Sequence, residues 1–194
     1  PGLDGVIATQ SSISDIDGKK GILSYRGYSI EELAMESSFE EVAYLLIAGQ
    51  LPKKNELEKF KSAINEYQNL PDNLLVLLNS LPKKSDPMQV LQLTAASLGS
   101  FYSLEFNPEK TKGKEYTLDY FLDIAAKLIG SIGSIVPAWQ RIRFNKKFIA
   151  PQRHLNFADN FLNMLNNDYK PSDLVKRIMD ATFILHAEHT INAS

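Results

Sequence analysis

From Ser29 onward the chain is punctuated by helix-start signals, and their spacing leaves little room for a fold built on strands. Ser29 with Glu32, and Ser38 with Glu41, have the capping-box spacing, in which a hydroxyl and a carboxylate each satisfy an amide at a helix start. Asp86 ahead of Pro87, then Asn156, then Ser172, give three more N-caps. Gly49 followed by Pro52 is a stop signal. Between the signals, apolar residues recur at helical spacing: Phe39, Val42, Ala43 and Leu46, then Leu57, Phe60 and Ile64. Pro71 starts a short helix. A long helix is expected from Thr117 to Phe144, kinked at Pro137, and the last one runs from Ser172 toward His189. The count is about eight helices with no alternation of strand and helix, so the class is mainly α.

The first 28 residues read differently. Val6 to Ser14 is rich in β-branched and small residues, Asp17-Gly18 is a turn signal, and Gly21 to Tyr25 is a second extended run. The expected division is 1–28 as a β-hairpin segment and 29–194 as a helical large-domain portion. A lone hairpin is marginal in water, so it has to lie on the helices.

Charge and composition exclude several functions. Lys+Arg number 21 against 23 Asp+Glu, without a basic cluster, which argues against a nucleic-acid partner. The chain has no cysteine, so disulfides, thiolate nucleophiles and Cys-ligated metals are out, and a reducing, cytoplasmic setting is expected. Residues 1–14 lack a basic stretch followed by an apolar run, the pattern of a secretory signal. Pro87 to Leu104 carries no charged side chain, but its glutamines, serines and threonine make it a helix buried in protein rather than a membrane span.

Two features carry possible chemistry. The first is His186-Ala187-Glu188-His189, followed by Asn192. In a helix, Ile178, Thr182, Leu185 and His189 share one face, and Val175, Met179, Thr182 and His186 form the neighbouring stripe, so both histidines extend an apolar face. Three readings stay open: core histidines bonded to backbone carbonyls, a metal site with Glu188, or imidazole donors that recognise an anion or carbonyl. The second is the pair of small-residue stretches, Ala95–Ser100 and Gly130–Ser134, expected as a helix layer at a subunit interface. Arg26 is read as a contact to the hairpin, Lys146-Lys147 as a solvated loop, and Trp139 as core.

The order of segments resembles the N-terminal half of the shorter, prokaryotic-type citrate synthases. The resemblance rests on Gly2-Leu3-Asp4-Gly5-Val6, on Ser14 to Tyr28, and on Ser38 to Leu46 with Gly49-Gln50-Leu51-Pro52. It rests also on Ala158-Asp159-Asn160-Phe161-Leu162 and on Leu185 to Ser194. It implies a mainly α, citrate-synthase-like large domain, truncated before the small domain and the rest of the large one, and a homodimer. It also implies an acyltransferase of the tricarboxylic acid cycle that condenses acetyl-CoA with oxaloacetate. No metal or prosthetic group is implied, and no membrane or nucleic acid.

In the family's His-x-Asp-His motif the second histidine binds oxaloacetate, which places that role on His189, with His186 and Asn192 beside it. The family's acid–base residues lie beyond Ser194, so this chain alone is expected to be inactive. Glu188 stands where the family usually has Asp, Thr190 where it has Glu, and Asp86 where many members have His. A 2-methylcitrate synthase using propionyl-CoA, and a non-catalytic helical dimerisation module, are the alternatives.

Overall fold

A computed structural model of the chain describes residues 11–102 and 117–188. Among these described residues, three short strands, β1 (Ser14–Asp17), β2 (Ile22–Tyr25) and β3 (Tyr28–Ser29), precede eight helices. These are α1 (Ile30–Glu36), α2 (Phe39–Ala48), α3 (Lys54–Gln68), α4 (Asp72–Ser80), α5 (Pro87–Phe101), α6 (Leu118–Arg143), α7 (Phe157–Leu165) and α8 (Asp173–Leu185). The mainly α class with a small N-terminal sheet is what the sequence leads one to expect.

The sheet is antiparallel in the order β1-β2-β3, with Ser14 opposite Tyr25 and Tyr25 opposite Tyr28. The turn at Asp17-Gly18 is where the sequence puts it. The strand before it begins only at Ser14, and Val6–Gln10 lies outside the described residues. The third strand was not anticipated. It exists because Arg26 and Gly27 both adopt positive φ, 51° and 88°, the mirror-image turn that matches the twist of a tight hairpin.

The caps form as spelled. The Ser29, Ser38, Asp86, Thr117, Asn156 and Ser172 side chains each accept a backbone N–H in the first turn of α1, α2, α5, α6, α7 and α8. Gly49 closes α2 at φ 81°, the left-handed conformation that glycine adopts without strain.

Helix α2 joins two of the three core clusters. Four consecutive residues, Val42, Ala43, Tyr44 and Leu45, are buried, so the helix is covered on every side. One face joins Tyr25, Ile30, Leu33 and Ile184 in a cluster under the sheet. The other joins Phe60, Ile64, Ala126 and Phe157. A third cluster ties α4, α5 and the second half of α6 through Leu74, Leu78, Leu98 and Trp139.

The small residues of α6 have a different task from the one expected. A Cβ on Gly130 would lie 2.5 Å from the Ile64 carbonyl oxygen, and one on Gly133 would lie 2.4 Å from the Phe157 ring. Ser131 shares a 2.7 Å hydrogen bond with the Tyr102 hydroxyl and donates to the Tyr67 carbonyl, and Ser134 Oγ meets Met164 Sδ. The stretch from Gly130 to Ser134 is therefore contact within one chain, where α3 and α7 press against α6. The other stretch, on α5, is open: a Cβ on Gly99 meets nothing within 4 Å.

Helix α6 runs unbroken through Pro137. By length and composition it is apolar enough to span a bilayer. Its middle is buried against α3, α5 and α7 instead, which makes it a core helix.

Candidate functional site

The histidine-bearing end of the chain is reached through α8. That helix stops at Leu185, earlier than its apolar pattern suggests, and His186 is its C-cap. The His186 N–H returns to the Thr182 and Phe183 carbonyls, and the Ala187 N–H to the Ile184 carbonyl. Its inner face also differs from the expected one. Asp180 and Ile184 are buried, whereas Ile178 and Leu185 are 56% and 49% exposed. Two contacts hold that inner face: Asp180 Oδ1 accepts the Phe39 N–H at 3.1 Å, capping α2 from outside, and Ile184 packs in the cluster with Tyr25 and Leu33.

His186 is exposed, and its Nδ1 lies 2.8 Å from the Thr182 carbonyl oxygen. A carbonyl only accepts, so Nδ1 carries the hydrogen. In the neutral ring Nε2 then presents a lone pair outward, and it donates only when the ring is protonated. His186 is thus bonded to a backbone carbonyl, but at the surface rather than in the core, with one nitrogen left for a ligand. His189 and Asn192 lie outside the described residues. Among the described residues no three His, Asp or Glu side chains gather as a metal site. His154, the remaining histidine, lines a cleft of about 990 Å³ between α3 and residues 150–157, together with Lys61, Asn65 and Arg153.

The segment leading into His189 is held from below. Tyr25 is fully buried, and its hydroxyl donates to the Glu188 carbonyl at 3.0 Å and faces the Leu185 carbonyl at 3.4 Å. Burial pushes the phenol's pKa up, so it remains a donor at neutral pH. Ala187 packs on the same cluster as the Tyr25 ring. Arg26 forms the contact that the sequence allots to it. Its Nε and Nη2 donate to the Leu46 carbonyl at 3.3 and 2.7 Å, and Nη1 donates to Ser12 Oγ at 3.0 Å. A guanidinium so occupied ties the hairpin to the end of α2. Lys146 and Lys147 are solvated, and Trp139 is buried.

Residue spacing did not reveal the buried carboxylates. Glu40 is 2% exposed, and its Oε1 accepts the N–H of Phe157, the first residue of α7, at 2.9 Å. Burial raises its pKa. The Phe157 N–H and Lys61 oppose that rise, and Asp180 adds to it. Burial raises the Asp180 pKa too, against the Phe39 N–H, Arg177 and Lys61. The adjacent Glu41 on α2 is only half-buried, so the pattern of α2 alone does not single out Glu40. Both acids are engaged as helix caps.

Solved structures share this architecture. The citrate synthase of Thermotoga maritima matches 99% of this chain with a TM-score of 0.79 at 32% identity, over 47% of its own length. The Thermoplasma acidophilum citrate synthase, solved as a ternary complex with carboxymethyl coenzyme A and oxaloacetate, matches with a TM-score of 0.81 at 28% identity, over 48% of its length. The fold is thus the helical scaffold of those synthases. The family model described as citrate synthase, C-terminal domain, matches residues 2–194, and the chain belongs to the citrate synthase family. It is 43% identical to the citrate synthase of Acidithiobacillus ferridurans over all 194 residues, which are 49% of that protein. It is 39% identical to the peroxisomal citrate synthase of Dictyostelium discoideum, of which it covers 40%. The chain therefore spans about half the length of the curated relatives it matches.

Proposed function

We propose that this chain is the N-terminal half of a citrate synthase that condenses acetyl-CoA with oxaloacetate and releases citrate and CoA. The observation that carries the reading is the family match over residues 2–194, together with the anchoring of Glu188 beyond the end of α8, within the His186-Ala187-Glu188-His189 motif. His189 is the oxaloacetate ligand, with His186 and Asn192 beside it. Negative charge grows on the ketone oxygen as the carbon–carbon bond forms, and an imidazole N–H donor held on a rigid element stabilises it without reorganising.

Enolising the thioester needs a carboxylate base at its methyl group. The buried acids of this half, Glu40 and Asp180, already cap helices, so the base belongs to the other half. Acyl-CoA enters as a co-substrate, and the reaction needs no bound cofactor. The protein works as a homodimer, with the open face of α5 and the outer residues of α6 at the interface. The absence of cysteine suits the cytoplasm.

The test is thiol release from acetyl-CoA with oxaloacetate, by the full-length protein and by the 194-residue chain. The full-length protein turns over, the chain alone stays at background, and His189→Ala lowers kcat in the full-length protein by about 10²–10³-fold. Faster turnover with propionyl-CoA than with acetyl-CoA would move the assignment to a 2-methylcitrate synthase. A silent full-length protein would favour the dimerisation module.

A further inference from the structure

We propose that Tyr25 is a positioning residue for oxaloacetate binding: its buried hydroxyl fixes the peptide that leads into His189. The inference rests on the reading of His189 as the oxaloacetate ligand.

Helix ends leave carbonyls without an intrahelical partner. Leu185 contributes one such carbonyl, and Glu188 contributes another just beyond the end. The Tyr25 hydroxyl has one proton and two acceptors in reach, 3.0 Å to the Glu188 oxygen and 3.4 Å to the Leu185 oxygen. The shorter contact takes the larger share. The Glu188 carbonyl belongs to the planar unit whose nitrogen is that of His189, so holding this oxygen sets the plane from which His189 departs.

The donor itself cannot drift. The Tyr25 ring is fully buried among Ile30, Leu33, Val42, Leu45 and Ile184. Its backbone is paired on both sides, to Ser14 in β1 and Tyr28 in β3. The next residue, Arg26, is bolted to the Leu46 carbonyl. This gives the small sheet a purpose beyond covering the core. It is the platform that carries one hydroxyl, about 160 residues away in sequence, to the ligand loop. Without that bond the loop samples other orientations, and apparent affinity falls by the fraction of time the competent one is held.

Tyr25→Phe in the full-length protein keeps the ring and removes the donor. The expected result is a rise of about 3- to 10-fold in the oxaloacetate KM. The acyl-CoA KM and kcat stay within about twofold of wild type, below the range that one lost hydrogen bond produces. In the ligand-free protein the amides of residues 186–189 exchange hydrogen faster, while those of α2 do not. A plain packing role predicts instead a lower Tm with an unchanged oxaloacetate KM and unchanged exchange in the loop, and that result would overturn the proposal. If the unmutated full-length protein releases no thiol, the reading at His189 has failed and takes the substrate role with it. The exchange measurement then still decides whether the hydroxyl holds the loop.

Discussion

Gly130 and Gly133 show how much one missing methyl group decides. Both sit inside α6, where glycine costs about 1 kcal/mol of helix propensity relative to alanine. The cost is borne because α3 and α7 come too close for a Cβ: at Gly130 the obstacle is backbone, the Ile64 carbonyl at 2.5 Å and the Tyr67 carbonyl carbon at 2.9 Å. Backbone cannot turn aside. Gly130→Ala in the full-length protein is expected to lower the urea midpoint by the equivalent of about 1–3 kcal/mol, overpacking outweighing the propensity gain. At Gly133 the obstacle is the Phe157 ring, itself wedged against Phe39 and Phe183 at centroid distances of 4.8 and 5.1 Å. Gly133→Ala is therefore expected to cost less than Gly130→Ala but still to destabilise. A midpoint at or above wild type for Gly130→Ala would mean that α3 and α6 are farther apart than described. The sequence showed that small residues cluster here. It could not show which surface they meet, because a glycine that admits a neighbouring helix of its own chain and one that admits a helix of another subunit have the same spelling.

Among elements, the feature hidden from sequence is that helices cap one another. Asp180 on α8 caps α2, and Glu40 on α2 caps α7, so three helices are locked in a relay through two helix starts. Local caps were legible because Ser, Asp and Asn act within a few residues of themselves. A cap that arrives from 117 or 141 residues away has no local signature.

The relay has a pH signature. The folded pKa of Glu40 is raised above its ordinary value, first by burial. Its stabilising contribution is complete below the usual glutamate range, and it is lost as pH rises through the raised folded value, because the unfolded chain ionises first. Glu40→Gln keeps an oxygen for the Phe157 N–H and removes the ionisation. The variant is expected to match wild type near pH 4 and to exceed it progressively toward neutral pH, as read from urea midpoints. Asp180, raised in the same sense, leaves a residual slope. Glu40→Ala, which also removes the acceptor, is expected to lie about 0.5–2 kcal/mol below Glu40→Gln at every pH. Parallel pH profiles for wild type and Glu40→Gln would show that the carboxyl is hydrated in the folded protein.

On the scale of the whole molecule, two apolar faces end at solvent in this half. On α8, Leu174, Ile178 and Leu185 lie outward beside His186, and on α5 and α6 so do Met88, Leu93, Ile132 and Val136. The first face runs toward the residues before the proposed oxaloacetate ligand, and under the proposed function the rest of that site belongs to the half of the relatives' length that this chain does not span. It is therefore assigned to contact within one subunit. The second is assigned to the partner copy of the proposed dimer. The assignments predict opposite phenotypes. Leu93→Glu, on the subunit face, desolvates a charge in an interface of which each partner needs to bury about 800 Å² for stable association. Sedimentation of the full-length protein is expected to show a shift from dimer to monomer, with secondary structure retained. Ile178→Glu places the same charge in the packing between halves. It is expected to lower Tm and raise the oxaloacetate KM at every protein concentration, without shifting the sedimentation coefficient of what remains folded. A dimer that survives Leu93→Glu but falls apart with Ile178→Glu would exchange the two faces, putting α8 and its histidine loop at the subunit boundary.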